Sequence, residues 1–172
     1  TTGKAAVIDP GDEAERILAA LKEGGAEVTH ILLTHGHYDH TTAVPELEKA
    51  LPQAAIYIHR GDANGAGNTL FPLAGQVAVL NFYDEVLPTP GHSKGSVTLK
   101  AGDVLFTGDT LFCGSCGRTD LRGGSYEEIM ASLKRLGQLE GDYHVCPGHD
   151  RTSTLERERK YNPFLREAMG AR

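Results

Sequence analysis

One short segment constrains this chain most: Thr34-His35-Gly36-His37-Tyr38-Asp39-His40, which directly follows the apolar run from Val28 to Leu33. The run is short and rich in aliphatic and β-branched residues, so it predicts a buried strand. A strand that ends in a glycine-containing loop delivers side chains to the carboxyl edge of a sheet, where open α/β sheets bind ligands. Three histidines and an aspartate there have the chemistry and spacing of metal ligands, so we expect a metal site at this edge.

Three later segments repeat this construction, because each is an apolar strand followed by a tight turn that presents one ligand-type residue. The candidate metal ligands from all these segments are His35, His37, Asp39, His40, His92, Asp109 and His149. So many nitrogen and oxygen ligands exceed what one tetrahedral zinc takes, and two ions are the economical interpretation. The other histidines lack the glycine-turn context and are interpreted as structural or surface residues: His30, His59 and His144.

Length and composition fit one compact domain over residues 1–172, with 40% apolar and 23% charged residues. The net charge of −6 gives no sign of the basic patch typical of nucleic-acid binding. No apolar run approaches the roughly 20 residues of a membrane span. Three cysteines without an even framework favour a reducing compartment. We therefore expect a cytoplasmic protein without nucleic-acid or membrane partners.

Predicted strands and helices alternate in the first half of the chain, which indicates a largely parallel sheet. The strands are predicted over Lys4 to Ile8, Val28 to Leu33, Ala55 to Ile58, Val77 to Leu80, Glu85 to Leu87, Ser96 to Lys100, Asp103 to Phe106 and Tyr143 to Cys146. Capping-box patterns predict helix N-caps at Asp12, Ser125 and Ser153. Loops are predicted from Arg60 to Gly75 and from Asp109 to Gly124, and a two-residue hairpin turn at Ala101-Gly102. The alternating charges from Glu156 to Lys160 predict a solvated helix face.

Taken together, these motifs resemble the metallo-β-lactamase fold superfamily. The matching segments are His35-x-His37-x-Asp39-His40, Pro90-Gly91-His92, Phe106 to Phe112, and Pro147-Gly148-His149. The chain is most similar to the glyoxalase II branch, whose hydroxyacylglutathione hydrolase-like small bacterial members lack a helical C-terminal domain. Supporting details are Ser115-Cys116-Gly117-Arg118 and the stretch from Lys160 to Leu165. The resemblance implies an α+β fold, an αββα sandwich in which helices flank two mixed β-sheets.

The same resemblance implies a site with two divalent metal ions. Its ligands would be His35, His37 and His92 at the first ion, Asp39, His40 and His149 at the second, and Asp109 with a hydroxide between them. Asp39 would also orient that hydroxide for attack on a thioester or ester. Zinc is the expected metal, and iron or manganese suit the same ligands. A thiolate leaves without a dedicated acid because its pKa is about 8.5, which favours an S-acylglutathione-like thioester.

Arg118 is the candidate substrate-binding residue, because glyoxalase II enzymes have a basic residue here for the glutathione part. The alternative is an internal ion pair between Arg118 and Asp120. Thr119-Asp120 stands where the larger enzymes have aromatic residues, and much of their glutathione site lies in the C-terminal domain. The thiol carrier is therefore open.

Other functions remain alternatives: a persulfide dioxygenase-like enzyme with one iron, a lactone or other ester hydrolase, and a metal-stabilised binding module. Asp109 disfavours an antibiotic-cleaving role, since the best-known zinc β-lactamases carry cysteine there. Cys113 and Cys116 form a C-x-x-C that we interpret as structural thiols, with Cys146 buried in a strand. Against the family pattern, the chain is expected to lack its first strand or strands and some residues between Asn81 and Leu87.

Overall fold

A computed structural model of the chain describes residues 3–63, 77–79 and 86–170. Its strands are β1 (Lys4–Ile8), β2 (Glu27–Leu32), β3 (Ala55–Ile58), β4 (Val77–Val79), β5 (Val86–Pro88), β6 (Val97–Ala101), β7 (Val104–Gly108), β8 (Leu111–Phe112), β9 (Ser115–Cys116), β10 (His144–Pro147) and β11 (Ser153–Thr154). Its helices are α1 (Ala14–Gly24), α2 (Val44–Ala50), α3 (Arg60–Ala63), α4 (Tyr126–Gly137), α5 (Leu155–Tyr161) and α6 (Pro163–Ala168). A short 3-10 turn covers Tyr38–His40.

Two sheets form the framework and confirm the predicted α+β fold class. The first has the order β1-β2-β3-β4 with parallel pairings, as the strand–helix alternation predicted. The second has the order β11-β10-β7-β6-β5 and mixes parallel with antiparallel pairings. A separate two-stranded hairpin joins β8 to β9 inside the stretch that was predicted to be a loop.

Each sheet buries its own hydrophobic core. The first core contains Val28, Ile31 and Leu33 from β2 and the following residue, together with Val44 and Leu47 of α2. The second core brings the regularly spaced apolar residues of α4 onto β7 and β10, and its fully buried members are Leu105, Leu111, Leu133, Leu136, Val145, Leu155 and Leu165. Apolar residues three and four apart form one face of a helix, which is why α4 packs in this way.

Strand direction places the loops that carry the candidate ligands. β5 and β7 both run antiparallel to β6, and β10 runs parallel to β7. The carboxyl ends of β5, β7 and β10 therefore meet at one edge of the second sheet. The backbone N–H of Val97 donates to the carbonyl of Thr34, which joins that edge to the loop after β2.

The structure confirms some local predictions and corrects others. Ser125 is the N-cap of α4 and accepts from the N–H of Glu128, as predicted. Asp12 is not an N-cap, because α1 starts at Ala14 and Asp12 instead accepts from the adjacent N–H of Glu13. The N-cap of α5 is Thr154 rather than Ser153, because α5 starts at Leu155 and the Thr154 hydroxyl accepts from the N–H of Arg157.

Three further predictions are wrong in part. The β6–β7 hairpin turns at Gly102-Asp103, because Ala101 still pairs with Val104. Arg60–Ala63 forms a helical turn, while residues 64–75 of the predicted loop lie outside the described residues. The predicted strand ends Leu80 and Glu85 also lie outside them, as do residues 81–85, where the chain is expected to lack residues of the family pattern. Glu158 is fully buried, although its charged neighbourhood predicted a solvated face. No helix among the described residues is long and apolar enough to cross a bilayer.

Candidate metal centre

The predicted ligands come together from separate loops at the carboxyl ends of strands. His35, His37, Asp39 and His40 follow β2; His92 follows β5; Asp109 follows β7; and His149 follows β10. The predicted ligands form two groups of three, His35 with His37 and His92, and Asp39 with His40 and His149, and a further group joins Asp9 to His35 and His40. In each group one ligand atom per residue lies within 4.8 Å of the others. The first group is buried, whereas Asp39 and His149 of the second are partly exposed.

Asp109 lies between the two groups. Its Oδ2 atom is 3.4 Å from Nε2 of His92, which belongs to the first group, and 3.4 Å from Nε2 of His149, which belongs to the second. Its Oδ1 atom is 3.3 Å from Nε2 of His40. One carboxylate therefore reaches both groups. The bridging role that the family resemblance implies for Asp109 stays a prediction.

Neighbouring groups orient three of the predicted histidine ligands. His92 Nδ1 donates to the carbonyl of Arg118 at 2.8 Å, so its Nε2 faces the site, where it lies 2.8 Å from His37 Nδ1. His40 Nδ1 lies 3.1 Å from Asp9 Oδ2, which turns its Nε2 towards Asp109. Thr34 Oγ1 donates to Asp9 at 2.6 Å and can accept from His35 Nδ1 at 3.1 Å. Such support orients metal-ligating histidines and makes them better ligands.

Buried polar atoms of the site lack the partners that a folded protein normally supplies. His35 Nε2, His37 Nε2, His40 Nε2 and Asp109 Oδ1 make no hydrogen bond within the described part of the chain. His40 Nε2 and Asp109 Oδ1 lie 3.3 Å from each other. Imidazole nitrogens and carboxylate oxygens that converge in this way suit a divalent cation. The residues therefore fit the metal that the fold implies.

The electrostatics of the site differ between its histidines: they favour neutral His35 and His37, but a charged His40 beside a charged Asp109. Burial and the neighbouring histidines hold the pKa of His35 well below its ordinary value, and burial with His92 lowers the pKa of His37. Burial opposes charge on His40, but the carboxylates of Asp109 and Asp9 outweigh it and raise its pKa to about 10. Burial likewise opposes charge on Asp109, yet His40 and the other histidines lower its pKa. The same carboxylates that favour a proton on His40 would favour a cation.

Sequence reasoning missed two aspartates that support the ligands. Asp9, directly after β1, accepts from Thr34 N–H at 2.7 Å and adopts a left-handed φ of 45°. Asp62 was placed in a loop, but it is 3% exposed and accepts hydrogen bonds from Gly36, Ser93 and Gly95. An aspartate directly after the β1 strand was the available signal for Asp9. Asp62 offered no comparable signal.

A cavity of about 650 Å³ opens onto the centre. It is lined by His37, Tyr38, Asp39, His92, Asp109, Phe112, Ser115, Cys116, Arg118, Leu121, His149 and Asp150. Arg118 therefore reaches the cavity, and at the same time it forms a two-pronged ion pair with Asp120 at 2.7 and 2.6 Å. Both interpretations of Arg118 agree with this placement, since the pair is exposed and exposed pairs exchange partners at little cost. Cys146, predicted as buried, is half-buried, and the three cysteines are free.

Comparison with known proteins gives the chain its family. The sequence model of the metallo-beta-lactamase superfamily matches residues 1–149. The chain is 34% identical to the probable metallo-hydrolase YqgX of Bacillus subtilis (strain 168), over 92% of this chain and 86% of that protein. It is 33% identical to the hydroxyacylglutathione hydrolase GloC of Haemophilus influenzae, over 94% and 87%. Against hydroxyacylglutathione hydrolase 1 of Vibrio vulnificus it is 34% identical over 87% of this chain, and it spans 59% of that enzyme.

Solved structures agree with these relatives. TTHA1623 in a di-iron-bound form is 38% identical with a TM-score of 0.81, over 91% of this chain and 87% of that one. The BLEG-1 B3 metallo-beta-lactamase is 34% identical with a TM-score of 0.81, over 95% and 89%. ETHE1 from Myxococcus xanthus is 31% identical with a TM-score of 0.80, over 95% and 74%.

The family match and the histidine–aspartate clusters confirm two expectations, a site for divalent metal and a metal-dependent hydrolase. From the fold, the ligand-type loops and these similarities together, the chain belongs to the metallo-beta-lactamase superfamily.

Proposed function

We propose that the chain is a thioesterase of glyoxalase II type that acts with two divalent ions, zinc being the expected metal. The ligands would be His35, His37 and His92 at one ion, Asp39, His40 and His149 at the other, and Asp109 between them. The observation that carries the proposal is the position of Asp109, whose Oδ2 lies 3.4 Å from a histidine of each group. The similarity to hydroxyacylglutathione hydrolases supports the substrate class.

Bound divalent ions would lower the pKa of water to about 7 and polarise the scissile carbonyl. The chain's own residues hold that chemistry in place. Asp9, Thr34 and the Arg118 carbonyl keep the histidine nitrogens facing the centre. Asp39 lines the cavity beside Asp109 and is partly exposed, so its carboxylate can orient the attacking water. The C–S bond then breaks, and the products are a carboxylic acid and a thiol.

No acid residue is required for the leaving group, because a thiol has a pKa of about 8.5 and departs as thiolate. The cavity of about 650 Å³ has room for an acyl group and part of a thiol carrier. Arg118 at its rim would exchange Asp120 for a carboxylate of the substrate. We further propose that residues 1–172 act as one hydrolase domain in the cytoplasm on a small-molecule substrate, with glutathione as the first carrier to test.

The test is elemental analysis of the purified protein together with hydrolysis of S-lactoylglutathione. Two ions per chain and thioester turnover are the expected result. Asp109→Asn should lower both the metal content and the turnover, because the amide retains the shape but loses a charged oxygen. If the protein binds two ions and hydrolyses lactones or other esters but no thioester, the proposed thioester substrate class is wrong.

A persulfide dioxygenase-like reaction is the second candidate. It is favoured by the structural similarity to ETHE1 from Myxococcus xanthus and by the sequence Arg118-Thr119-Asp120. One iron per chain, with oxygen consumption in the presence of a persulfide and no thioester turnover, would establish it. The two candidates therefore differ in metal stoichiometry as well as in reaction.

A further inference from the structure

The β8–β9 hairpin forms one wall of the substrate cavity. Phe112 and Ser115, which pair with each other across it, both line the cavity. The Phe112 ring lies 6.0 Å from the ring of His149 and perpendicular to it. The hairpin forms a sheet of its own, pairing with neither large sheet among the described strands. Isolated two-stranded hairpins are marginally stable, so other contacts must fix its position.

Asn162 supplies the first set of these contacts from the junction of α5 and α6. Its side-chain amide donates to the carbonyl of Phe112 at 3.1 Å and to the carbonyl of Ser115 at 2.9 Å. Its Oδ1 atom accepts from the N–H groups of Phe164 and Leu165 and so caps α6. One fully buried side chain thus holds both strands of the hairpin and the start of a helix.

Glu158 supplies the second set from α5. Its Oε2 atom accepts from the N–H of Gly114, in the hairpin turn, at 2.7 Å and shares the Asn162 NH₂ group, 3.0 Å away, with the two hairpin carbonyls. Its Oε1 atom accepts from Ser153 and from the Arg157 guanidinium. Burial opposes its charge, but these donors lower its pKa. A carboxylate is needed here because an amide cannot accept at both of its ends.

We propose that Glu158 and Asn162 are positioning residues that set the width of the substrate cavity through the β8–β9 hairpin. Among the described residues, no hydrogen bond or ion pair joins either residue to a predicted metal ligand, and both lie beyond residue 149, where the match to the family model ends. Cavity width determines which thiol carriers fit beside Phe112. The consequence for catalysis rests on the proposed thioesterase function, whereas the tethering of the hairpin does not.

Three variants test this inference. Glu158→Gln keeps the shape of the side chain but replaces one accepting oxygen with an NH₂ group. That NH₂ group then faces a hydrogen-bond donor that the carboxylate had accepted from. Asn162→Ser keeps an oxygen that can cap α6 and removes the amide that holds the hairpin carbonyls. Glu156→Gln makes the same chemical change as Glu158→Gln on an exposed residue of the same helix and is the matched control.

The first measurement is hydrogen exchange of the hairpin amides, with metal content and melting temperature recorded in parallel. We expect exchange at Gly114 to become roughly 10-fold faster in Glu158→Gln, because one hydrogen bond to a charged group is lost. Asn162→Ser should speed exchange across the hairpin, while Glu156→Gln should resemble the wild type. Unchanged exchange in both buried variants would overturn the inference. Should Glu158→Gln fail to fold, Asn162→Ser alone decides.

The second measurement is steady-state kinetics with S-lactoylglutathione. A loosened wall should raise KM roughly 10-fold and leave kcat within about 3-fold, since the lost interactions are binding interactions. A parallel loss of metal and of kcat would show a general structural role instead and would refute the positioning role. If the wild type has no thioesterase activity, the proposed function fails, and the exchange experiment still decides whether the hairpin is tethered.

Discussion

Replacement of Asp62 by asparagine tests the idea that second-layer hydrogen bonds hold the ligand loops. Oδ2 of Asp62 accepts from Gly36 N–H at 2.9 Å and from Ser93 Oγ at 2.7 Å, while Oδ1 accepts from Gly95 N–H at 2.7 Å. Gly36 lies between His35 and His37, and Ser93 follows His92. The carboxylate therefore joins the two loops that carry the first ligand group.

The expected cost follows from these contacts. Asparagine can keep its oxygen on Gly36 and Ser93, but its NH₂ then faces the N–H of Gly95, so one bond is lost. A hydrogen bond to a charged group contributes about 1.5–3 kcal/mol, and the two retained bonds weaken to neutral ones. We expect a loss of about 3 kcal/mol in the free energy of unfolding. At roughly 2–4 °C per kcal/mol for a chain of this size, the melting temperature should fall by about 6–12 °C.

Metal affinity should fall together with stability. Loss of a supporting hydrogen bond typically costs about 10- to 100-fold in affinity. Thermal unfolding by circular dichroism and competition with a chromogenic chelator measure the two effects. Asp103→Asn is the control, because Asp103 is exposed in the β6–β7 turn, where asparagine is equally suitable. If Asp62→Asn melted within 2 °C of that control, which is about the effect of 1 kcal/mol or less, and bound metal normally, the reasoning would be refuted.

Three other predictions concern the centre and its support. Gly11→Ala should lower metal content and kcat, because a Cβ there would lie 2.0 Å from the carbonyl oxygen of Asp39; Gly24→Ala, whose Cβ would meet nothing within 4 Å, should change neither. Glu158 has a lowered pKa in the folded protein, so its stabilising effect should be present above the ordinary glutamate pKa of about 4.3 and be lost as pH falls through the folded value. Urea titrations at several pH values should show wild-type stability decreasing more steeply than that of Glu158→Gln below that pH, and parallel curves would contradict it. Removal of metal by a chelator should abolish turnover and lower the melting temperature, with both restored by added metal; retained turnover would reject a metal-dependent reaction.

The sequence predicted the residues that face the centre better than those that hold them. Ligand-type residues follow apolar strands and glycine turns, and this local pattern is visible without tertiary structure. Asp62 and Glu158 carry no such pattern, since each has a backbone N–H group from a distant segment among its partners. Glu158 was read as solvated because its neighbours are charged, yet helical periodicity turns it inward while Glu156 stays outside. Long-range backbone partners are what sequence patterns leave out.

Helix starts show the same limit on a smaller scale. The capping pattern at Ser125 is correct because its chain enters α4 in an extended conformation, with φ of −155°. At Asp12 the same pattern fails, because Glu13 takes a left-handed φ of 54° and α1 begins after it. A capping residue is determined by the backbone path as well as by the side chain.

The two separate hydrophobic cores have a consequence for how the protein folds. Under the proposed ligand assignment, each ion would take ligands from the loop after β2, beside the first core, and from a loop of the second sheet. Metal binding would then cross-link two halves whose buried apolar residues form separate clusters in the described part of the chain. Since a ligand present at about 100 times its Kd adds about 2.7 kcal/mol to the folded state, occupancy would make the halves unfold together. Without metal, the two halves should unfold separately, one half before the other.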